Sequence, residues 1–267
     1  MNLKKNWNKR YGKSEIITKE NSTLKKVEMD MVKLAAGDKK AYREVNKEYA
    51  LVILRGKCTV EGEGFSFKDA GKRMDVFEGA ATCIYVPANT PFTIEGVTEV
   101  EIAVCKSPSE ETFTPAIVNP EDVVIKNLGK PGWEREAHFI LDERVKSKML
   151  YIGEAFVKGG QWASYPPHKH DDDNMPKEAE TEEIYYYEFK RAEGFGIQKV
   201  YTMEGDIDET YTVKQGDIVE ILTSKNQTPK QSWLEKIFTS HARTKLMHAL
   251  RPSTISEEST RRKHRTK

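Results

Sequence analysis

The sequence predicts an all-β protein built from two tandem barrels. Short runs rich in valine, isoleucine, tyrosine, phenylalanine and threonine recur between turn signals that contain glycine. Through this body of the chain, no long stretch has the 3.6-residue hydrophobic period of a helix, and no alternation of strands with helices indicates a parallel sheet. The same order of strand, glycine turn and apolar strand occurs twice, over about residues 25–106 and 145–221.

The individual strands are recognised by their apolar runs and by the glycines at their ends. Glycine supplies the backbone freedom that a tight turn between strands requires. On this basis we predict strands at residues 49–55, 81–86, 92–94, 99–104, 149–152, 183–189, 196–201 and 217–221.

Four segments follow from this pattern. The stretch Ser107–Pro120 holds three prolines together with serine, threonine and glutamate, which is typical of a linker. We therefore predict an N-terminal extension, a first barrel, a second barrel and a basic tail, at residues 1–24, 25–120, 121–221 and 222–267.

Length and composition exclude several classes of protein. The 267 residues suffice for one large domain or two small ones, and the net charge is only +1. This balance gives no reason to expect nucleic acid or a membrane surface as a partner, and no apolar run approaches the roughly 18–20 residues that span a bilayer. The charged N-terminus lacks the apolar stretch of a secretory signal. Cys58, Cys83 and Cys105 are typical of buried, reduced thiols in a cytoplasmic protein.

The charge is unevenly distributed along the chain. Residues 222–267 carry eleven lysines and arginines against three acidic residues, a net +8, so the preceding residues carry −7. All 17 glycines lie before residue 222. Apolar residues recur at roughly helical spacing over Gln231–Leu250, which predicts one helix there. Beyond Pro252 the basic composition predicts disorder.

The placement of histidine is the sharpest chemical signal. The first 137 residues contain none, whereas His168 and His170 form a His-X-His pair. Residues i and i+2 of a strand share a face, so two imidazoles point to one side, as two neighbouring ligands of a divalent metal require. The prolines at 166 and 167 stiffen the approach to this pair. The alternative is two surface imidazoles.

A carboxylate completes this candidate site. Glu183 opens a predicted strand, and its same-face partners include Tyr185 and Tyr187, so an inward Glu183 lies at the mouth of an aromatic pocket. Glu182 then points outward. The set His168, His170 and Glu183 suits manganese, zinc, iron or nickel, and the donor types do not choose among them.

These motifs resemble a known family. The run Gly160-Gln-Trp-Ala-Ser-Tyr-Pro-Pro-His-Lys-His170, followed by Glu183 and Gly194, resembles the first metal motif of cupins. More narrowly, the chain resembles the 5-deoxy-glucuronate isomerases of bacterial myo-inositol catabolism over about residues 25–221. The segments that carry this likeness are Ser164–Asp171, Asp173–Asn174, Glu182–Tyr186, Val200–Thr202 and Asp206–Thr210.

The resemblance implies a fold, a reaction and a cofactor. The fold would be two cupin (double-stranded β-helix) barrels. The reaction would convert 5-deoxy-D-glucuronate to 2-deoxy-5-keto-D-gluconate, an aldose–ketose isomerisation, in the cytoplasm. The cofactor would be a divalent metal ion held by three histidines and one glutamate, and His168, His170 and Glu183 match three of these four ligands.

The fourth ligand of that family has no counterpart at the matching position. Gln215–Ile221 matches the family's Gly-Asp strand, but Leu222–Lys230 replaces the Pro-X-Gly-Tyr-His-Pro turn that should follow. We therefore predict an incomplete second barrel, and a tail unrelated to the family end, as a shifted reading frame would produce. His241 and His248 are substitute ligands only if the predicted helix that carries them reaches the site.

The remaining assignments concern substrate and partners. Tyr185 and Tyr187 are candidate substrate-binding groups, with barrel packing as the alternative, and Arg135, Lys190 or Arg191 could recognise a carboxylate. The sequence identifies no general base. The first barrel has no histidine near its turn Pro87–Phe92, so we expect it to bind no metal and to serve in packing, with dimerisation as a second role left open.

Three function classes remain. They are the isomerase, a non-catalytic sugar-acid-binding cupin, and a metal-dependent cupin dioxygenase with the same ligand set. The expected partner is a small-molecule sugar acid; nucleic acid and membrane are not expected, and homo-oligomer formation is left open.

Overall fold

The computed structural model describes residues 2–163, 168, 180–202 and 205–222, together with the main chain of two strands at 232–240 and 244–249. Within these residues the chain forms 22 strands and one 3₁₀ turn, Pro120–Asp122, and it contains no α-helix. None of the described segments is a helix that could cross a membrane.

The first half of the chain contributes eleven strands. They are β1 Lys4–Asn6, β2 Gly12–Ile17, β3 Glu28–Leu34, β4 Lys39–Tyr42, β5 Lys47–Arg55, β6 Cys58–Gly62, β7 Phe65–Ala70, β8 Thr82–Val86, β9 Phe92–Gly96, β10 Val100–Pro108 and β11 Ala116–Val118.

The second half contributes eleven more. They are β12 Val124–Leu128, β13 Arg135–Leu141, β14 Ile152–Val157, β15 Trp162–Ala163, β16 Glu183–Tyr186, β17 Glu188–Phe189, β18 Phe195–Thr202, β19 Asp208–Val213, β20 Asp217–Ile221, β21 Ser232–Ser240 and β22 Thr244–Ala249.

The pairing of these strands repeats itself. The first barrel has a six-stranded sheet, β11-β8-β5-β10-β3-β2, and a four-stranded sheet, β4-β9-β6-β7. In the second barrel β16 and β17 pair with β20 and β22, as β5 pairs with β8 and β10. The order β15-β21-β18-β19 likewise repeats β4-β9-β6-β7. The predicted all-β fold of two tandem barrels is therefore confirmed.

The two barrels pack through the six-stranded sheet of the first. Almost all of β5 is buried, although the strand alternates between two faces. One face lines the interior of the first barrel through Tyr49, Leu51 and Ile53. The other face belongs to a core that also contains the second-barrel tyrosines; its β5 members are Ala50, Val52 and Leu54. Burial on both faces explains why β5 reads as a nearly continuous apolar run.

The N-terminal strand crosses to the second barrel. β1 pairs with β20, in the place that β11 takes beside β8. The N–H of Trp7 donates to the carbonyl of Gly216 at 2.9 Å, and the Asp217 carboxylate accepts from Lys4 at 3.2 Å and Asn6 at 2.9 Å. Gly216 has φ +81°, and a Cβ there would lie 2.7 Å from the Trp7 carbonyl oxygen. The predicted N-terminal extension, residues 1–24, thus contains strands of both barrels. The boundaries of the four predicted segments stay predictions.

Two predictions about the C-terminal segment are wrong. The helix expected over Gln231–Leu250 is absent, because β21 and β22 are strands. These strands pair with β14, β15, β17 and β18, in the positions that β9 and β10 hold in the first barrel, so the second barrel has the strands that the sequence appeared to lack. In β22, Leu246 and Met247 lie opposite Ala155 and Glu154 of β14. The apolar residues of this segment are therefore part of a paired strand, although their spacing is close to the period of a helix. The disorder predicted beyond Pro252 concerns residues outside the described part.

The cysteines match their prediction. Cys58, Cys83 and Cys105 are free and buried. Burial raises the pKa of the Cys58 and Cys105 thiols to about 12.

Candidate metal centre

Glu183 lies inside the second barrel, at a position that strand register makes equivalent to Tyr49 in the first. Glu183 pairs with Ile221 across β16 and β20, and Tyr49 pairs with Val86 across β5 and β8. Tyr49 belongs to the core that fills the first barrel, which indicates that Glu183 faces the interior of its own barrel. The Glu183 side chain is buried, with 1% exposure. The second barrel therefore has a carboxylate where the first has an aromatic ring.

Tyr185 interacts with this carboxylate. Burial raises the pKa of Tyr185 well above its usual value, and the charge of Glu183 together with a hydrogen bond to it acts in the same direction. The Arg135 guanidinium partly opposes this rise in the Tyr185 pKa, so its positive charge acts at the same place. Arg135 begins β13 and is half-buried. The three residues thus bring an acid, a hydroxyl and a cation within electrostatic reach of one another.

Tyr187 has a different environment. Its hydroxyl donates a 2.6 Å hydrogen bond to Oε1 of Gln198 in β18, and both residues are fully buried. The rings of Tyr185 and Tyr187 lie 6.4 Å apart. Burial raises the pKa of the Tyr187 hydroxyl, with Asp217 and Glu183 adding to the effect. The two tyrosines predicted as substrate-binding groups thus share a face, and the Tyr187 hydroxyl is the one that Gln198 binds.

The histidine pair is described only in part. His168 is half-buried and forms an isolated β-bridge. His170 lies outside the described residues, as do residues 164–167 and 169–179 around the pair and His241 in the tail. His248 is in β22, opposite Gly153, and so belongs to a strand rather than to a helix. Among the residues that are described, no cluster of three or more potential ligands is present.

Glu182 has a role that sequence alternation did not identify. The alternation correctly separates it from Glu183, but the side chain does not reach solvent. It is buried, and it accepts hydrogen bonds from the main-chain N–H groups of Lys25 and Lys26 in the first half of the chain. No local sequence signal could reveal this contact, because the partners are more than 150 residues away.

The structure distinguishes the three cationic residues suggested for carboxylate binding. Lys190 and Arg191 are exposed, after β17. The Arg135 side chain makes no hydrogen bond or ion pair within the described residues, and among the three cations Arg135 is the one whose charge acts on the pKa of Tyr185.

Two repeated barrels with an inward carboxylate in the second define a bicupin. A family model described as the KduI/IolB family matches residues 3–230, and the chain belongs to this family. Relatives named 5-deoxy-glucuronate isomerase come from Geobacillus kaustophilus, 38% identical over 204 residues, and Bacillus licheniformis, 40% identical over 205 residues. Each alignment covers 76% of this chain, and it covers 74% and 76% of the respective relative.

Solved structures give the same assignment of fold. An IolB-like protein from Salmonella typhimurium LT2 aligns with a TM-score of 0.85 and 26% identity, covering 96% of this chain and 94% of that one. A mutant of Bacillus subtilis oxalate decarboxylase aligns with a TM-score of 0.64 at 13% identity, covering 96% of this chain and 78% of the decarboxylase, which is a likeness of fold alone. The coverage of 96% extends past residue 222, in agreement with the barrel strands found there.

Proposed function

We propose that this chain is an aldose–ketose isomerase that converts 5-deoxy-D-glucuronate to 2-deoxy-5-keto-D-gluconate in myo-inositol degradation. The observation that carries this proposal is the family match over residues 3–230, together with relatives of that name at 36–40% identity. The buried interior Glu183 gives the second barrel the acid that the motif requires.

The second barrel is where we place a divalent metal ion. A carboxylate and imidazoles are donors that manganese, zinc and iron accept, and an inward carboxylate in a buried, partly aromatic site suits a cation. His168, His170 and Glu183 would hold the ion. When bound, it would supply Lewis-acid polarisation of a substrate carbonyl.

Tyr185 and Arg135 act on the substrate in this proposal. The substrate carries a carboxylate, and a guanidinium binds a carboxylate through two parallel hydrogen bonds. The charge of Arg135 acts on the pKa of Tyr185, which supports placing this guanidinium beside the proposed site. The Tyr185 hydroxyl, whose raised pKa keeps it protonated at neutral pH, would donate its one proton to Glu183 in the free chain and to a substrate oxygen in the complex.

The reaction moves a proton between adjacent carbons while the carbonyl changes place, and negative charge develops on oxygen as the C–H bond breaks. A protonated tyrosine near that oxygen would stabilise this charge as it develops. We place the enzyme in the cytoplasm, where its three buried thiols stay reduced.

Turnover of 5-deoxy-D-glucuronate, followed by NMR on the metal-loaded full chain, tests the proposal. We expect conversion to the keto acid, and a loss of at least 100-fold in Glu183→Gln. Glu136→Gln is the matched control, because Glu136 is on the opposite face of β13 from Arg135, beside His138 at 2.9 Å. Binding of the sugar acid without turnover would contradict the isomerase assignment and indicate a binding protein. O₂ consumption by the iron-loaded chain would instead indicate a dioxygenase.

A further inference from the structure

Two carboxylates at equivalent positions bind main-chain N–H groups of the opposite half of the chain. Glu48 precedes Tyr49 in β5, and Glu182 precedes Glu183 at the start of β16. Since Tyr49 and Glu183 are equivalent in register, Glu48 and Glu182 are equivalent too. Both side chains are buried, with 0% and 2% exposure.

Glu182 binds the segment that leads into β3. Its two oxygens accept the N–H of Lys25 at 2.9 and 3.0 Å, and Oε2 accepts the N–H of Lys26 at 2.7 Å. The Lys26 ammonium also lies 3.1 Å from the Glu180 carboxylate. Hydrogen bonds to an ionised acceptor are stronger than those between neutral groups. The start of β16 is therefore fixed to the first half of the chain immediately beside Glu183.

Glu48 makes the reciprocal contact. It accepts the main-chain N–H groups of Lys148, Met149 and Leu150 at 2.9, 2.6 and 2.9 Å, just before β14. The Tyr85 hydroxyl donates to the same carboxylate at 2.8 Å. The two contacts hold the barrels together in the same way, but only Glu182 is next to a candidate metal ligand.

We propose that Glu182 is a positioning residue for Glu183, holding the β16 backbone so that the Glu183 carboxylate points into the second barrel, where it would bind the proposed metal ion. Adjacent residues of a strand project to opposite sides, so anchoring one side chain sets the rotation of the strand and the direction of the next side chain. The inference deepens the proposed function and rests on it. Contacts that orient a ligand typically change metal affinity by about 10- to 100-fold.

The matched variants Glu182→Gln and Glu48→Gln test this. Each replaces a carboxylate oxygen with an amide NH₂ that confronts main-chain donors, so each should lower the urea midpoint of the full chain. The dissociation constant for Mn²⁺, measured by isothermal titration calorimetry on the metal-stripped chain, should rise about tenfold in Glu182→Gln and stay unchanged in Glu48→Gln. Glu182→Asp keeps the charge but has a shorter side chain, so the dissociation constant for Mn²⁺ should rise by less than in Glu182→Gln. This variant provides the test if Glu182→Gln does not fold.

The outcomes separate the two proposals. Unchanged Mn²⁺ affinity in both Glu182 variants, or an equal loss in Glu48→Gln, overturns the positioning role and leaves the proposed function intact. Failure of the wild-type chain itself to bind Mn²⁺ overturns the metal site, and the positioning role with it.

Discussion

The Tyr187 hydroxyl donates to Gln198 Oε1 at 2.6 Å, in a part of the second barrel where both side chains are fully buried. The Gln198 amide continues the network by donating to the Lys199 carbonyl at 3.1 Å. Tyr187 thus joins β18 to the strand region that carries Glu183. Its neighbour on the same face, Tyr185, instead has its pKa raised by burial and by the nearby Glu183 carboxylate. The two tyrosines should therefore differ in what their hydroxyls do.

Replacing each tyrosine with phenylalanine should separate stability from activity. Tyr187→Phe leaves the Gln198 oxygen buried without a donor, which costs about 1–3 kcal/mol of unfolding free energy, while kcat/KM stays near wild type. Tyr185→Phe should lower kcat/KM by about tenfold or more, since it removes a contact to the proposed ligand. Urea unfolding and steady-state kinetics measure both. Equal kinetic losses in the two variants would contradict the distinction.

A buried ion pair joins the two barrels. Arg73 makes paired contacts of 2.8 and 3.1 Å to Glu154 in β14, and both side chains are almost fully buried. Arg73→Met leaves the carboxylate without its main cation and should cost about 3–5 kcal/mol. The double variant with Glu154→Gln should recover part of this loss, because the buried charge is removed as well. A double variant no more stable than Arg73→Met would show that the pair is not coupled.

Gly216 is where the N-terminal strand docks. Gly216→Ala combines an unfavourable positive φ with a Cβ 2.7 Å from the Trp7 carbonyl oxygen, so β1 should detach. Limited proteolysis should then cut within residues 2–11. Gly205→Ala is the control: its φ is +79° but its Cβ would meet nothing within 4 Å, so it carries only the backbone cost of about 1–2 kcal/mol. Equal protection of the N-terminus in both variants would exclude the clash as the cause.

Alkaline pH should destabilise the protein. In the folded chain the Cys105 pKa is raised to about 12 from an ordinary 9.0, whereas unfolding exposes the thiol to water. Above about pH 9 the unfolded state loses protons that the folded state keeps, so stability falls as pH rises toward 12. Each such thiol contributes up to about 1.4 kcal/mol per pH unit. The urea midpoint should drop between pH 8.5 and 10.5, less steeply in Cys105→Ala; a flat profile would contradict this.

The sequence predicted the body of this fold because its signals are local. Runs such as Tyr49–Arg55 are apolar on both faces, and the structure buries both faces of β5. The alternation that paired Glu183 with Tyr185 depends only on the two-residue period of a strand. These inferences needed no knowledge of distant partners.

The features that the sequence predicted wrongly or did not reveal depend on partners that are far away along the chain. In Gln231–Leu250 the apolar spacing fits a helix, but strand partners supplied by β14 and β18 override that preference. The carboxylate of Glu182 finds its donors at Lys25 and Lys26, which local pattern cannot indicate. The equivalence of Tyr49 and Glu183 became visible only once the register of both barrels was known.

Metal content tests the central claim most directly. After loading with Mn²⁺ and removal of free ion, the wild-type chain analysed by inductively coupled plasma mass spectrometry should hold about one metal ion per chain, and Glu183→Gln far less. An empty wild-type protein, or Glu183→Gln with undiminished occupancy, would contradict the assignment of Glu183 as a metal ligand in the second barrel.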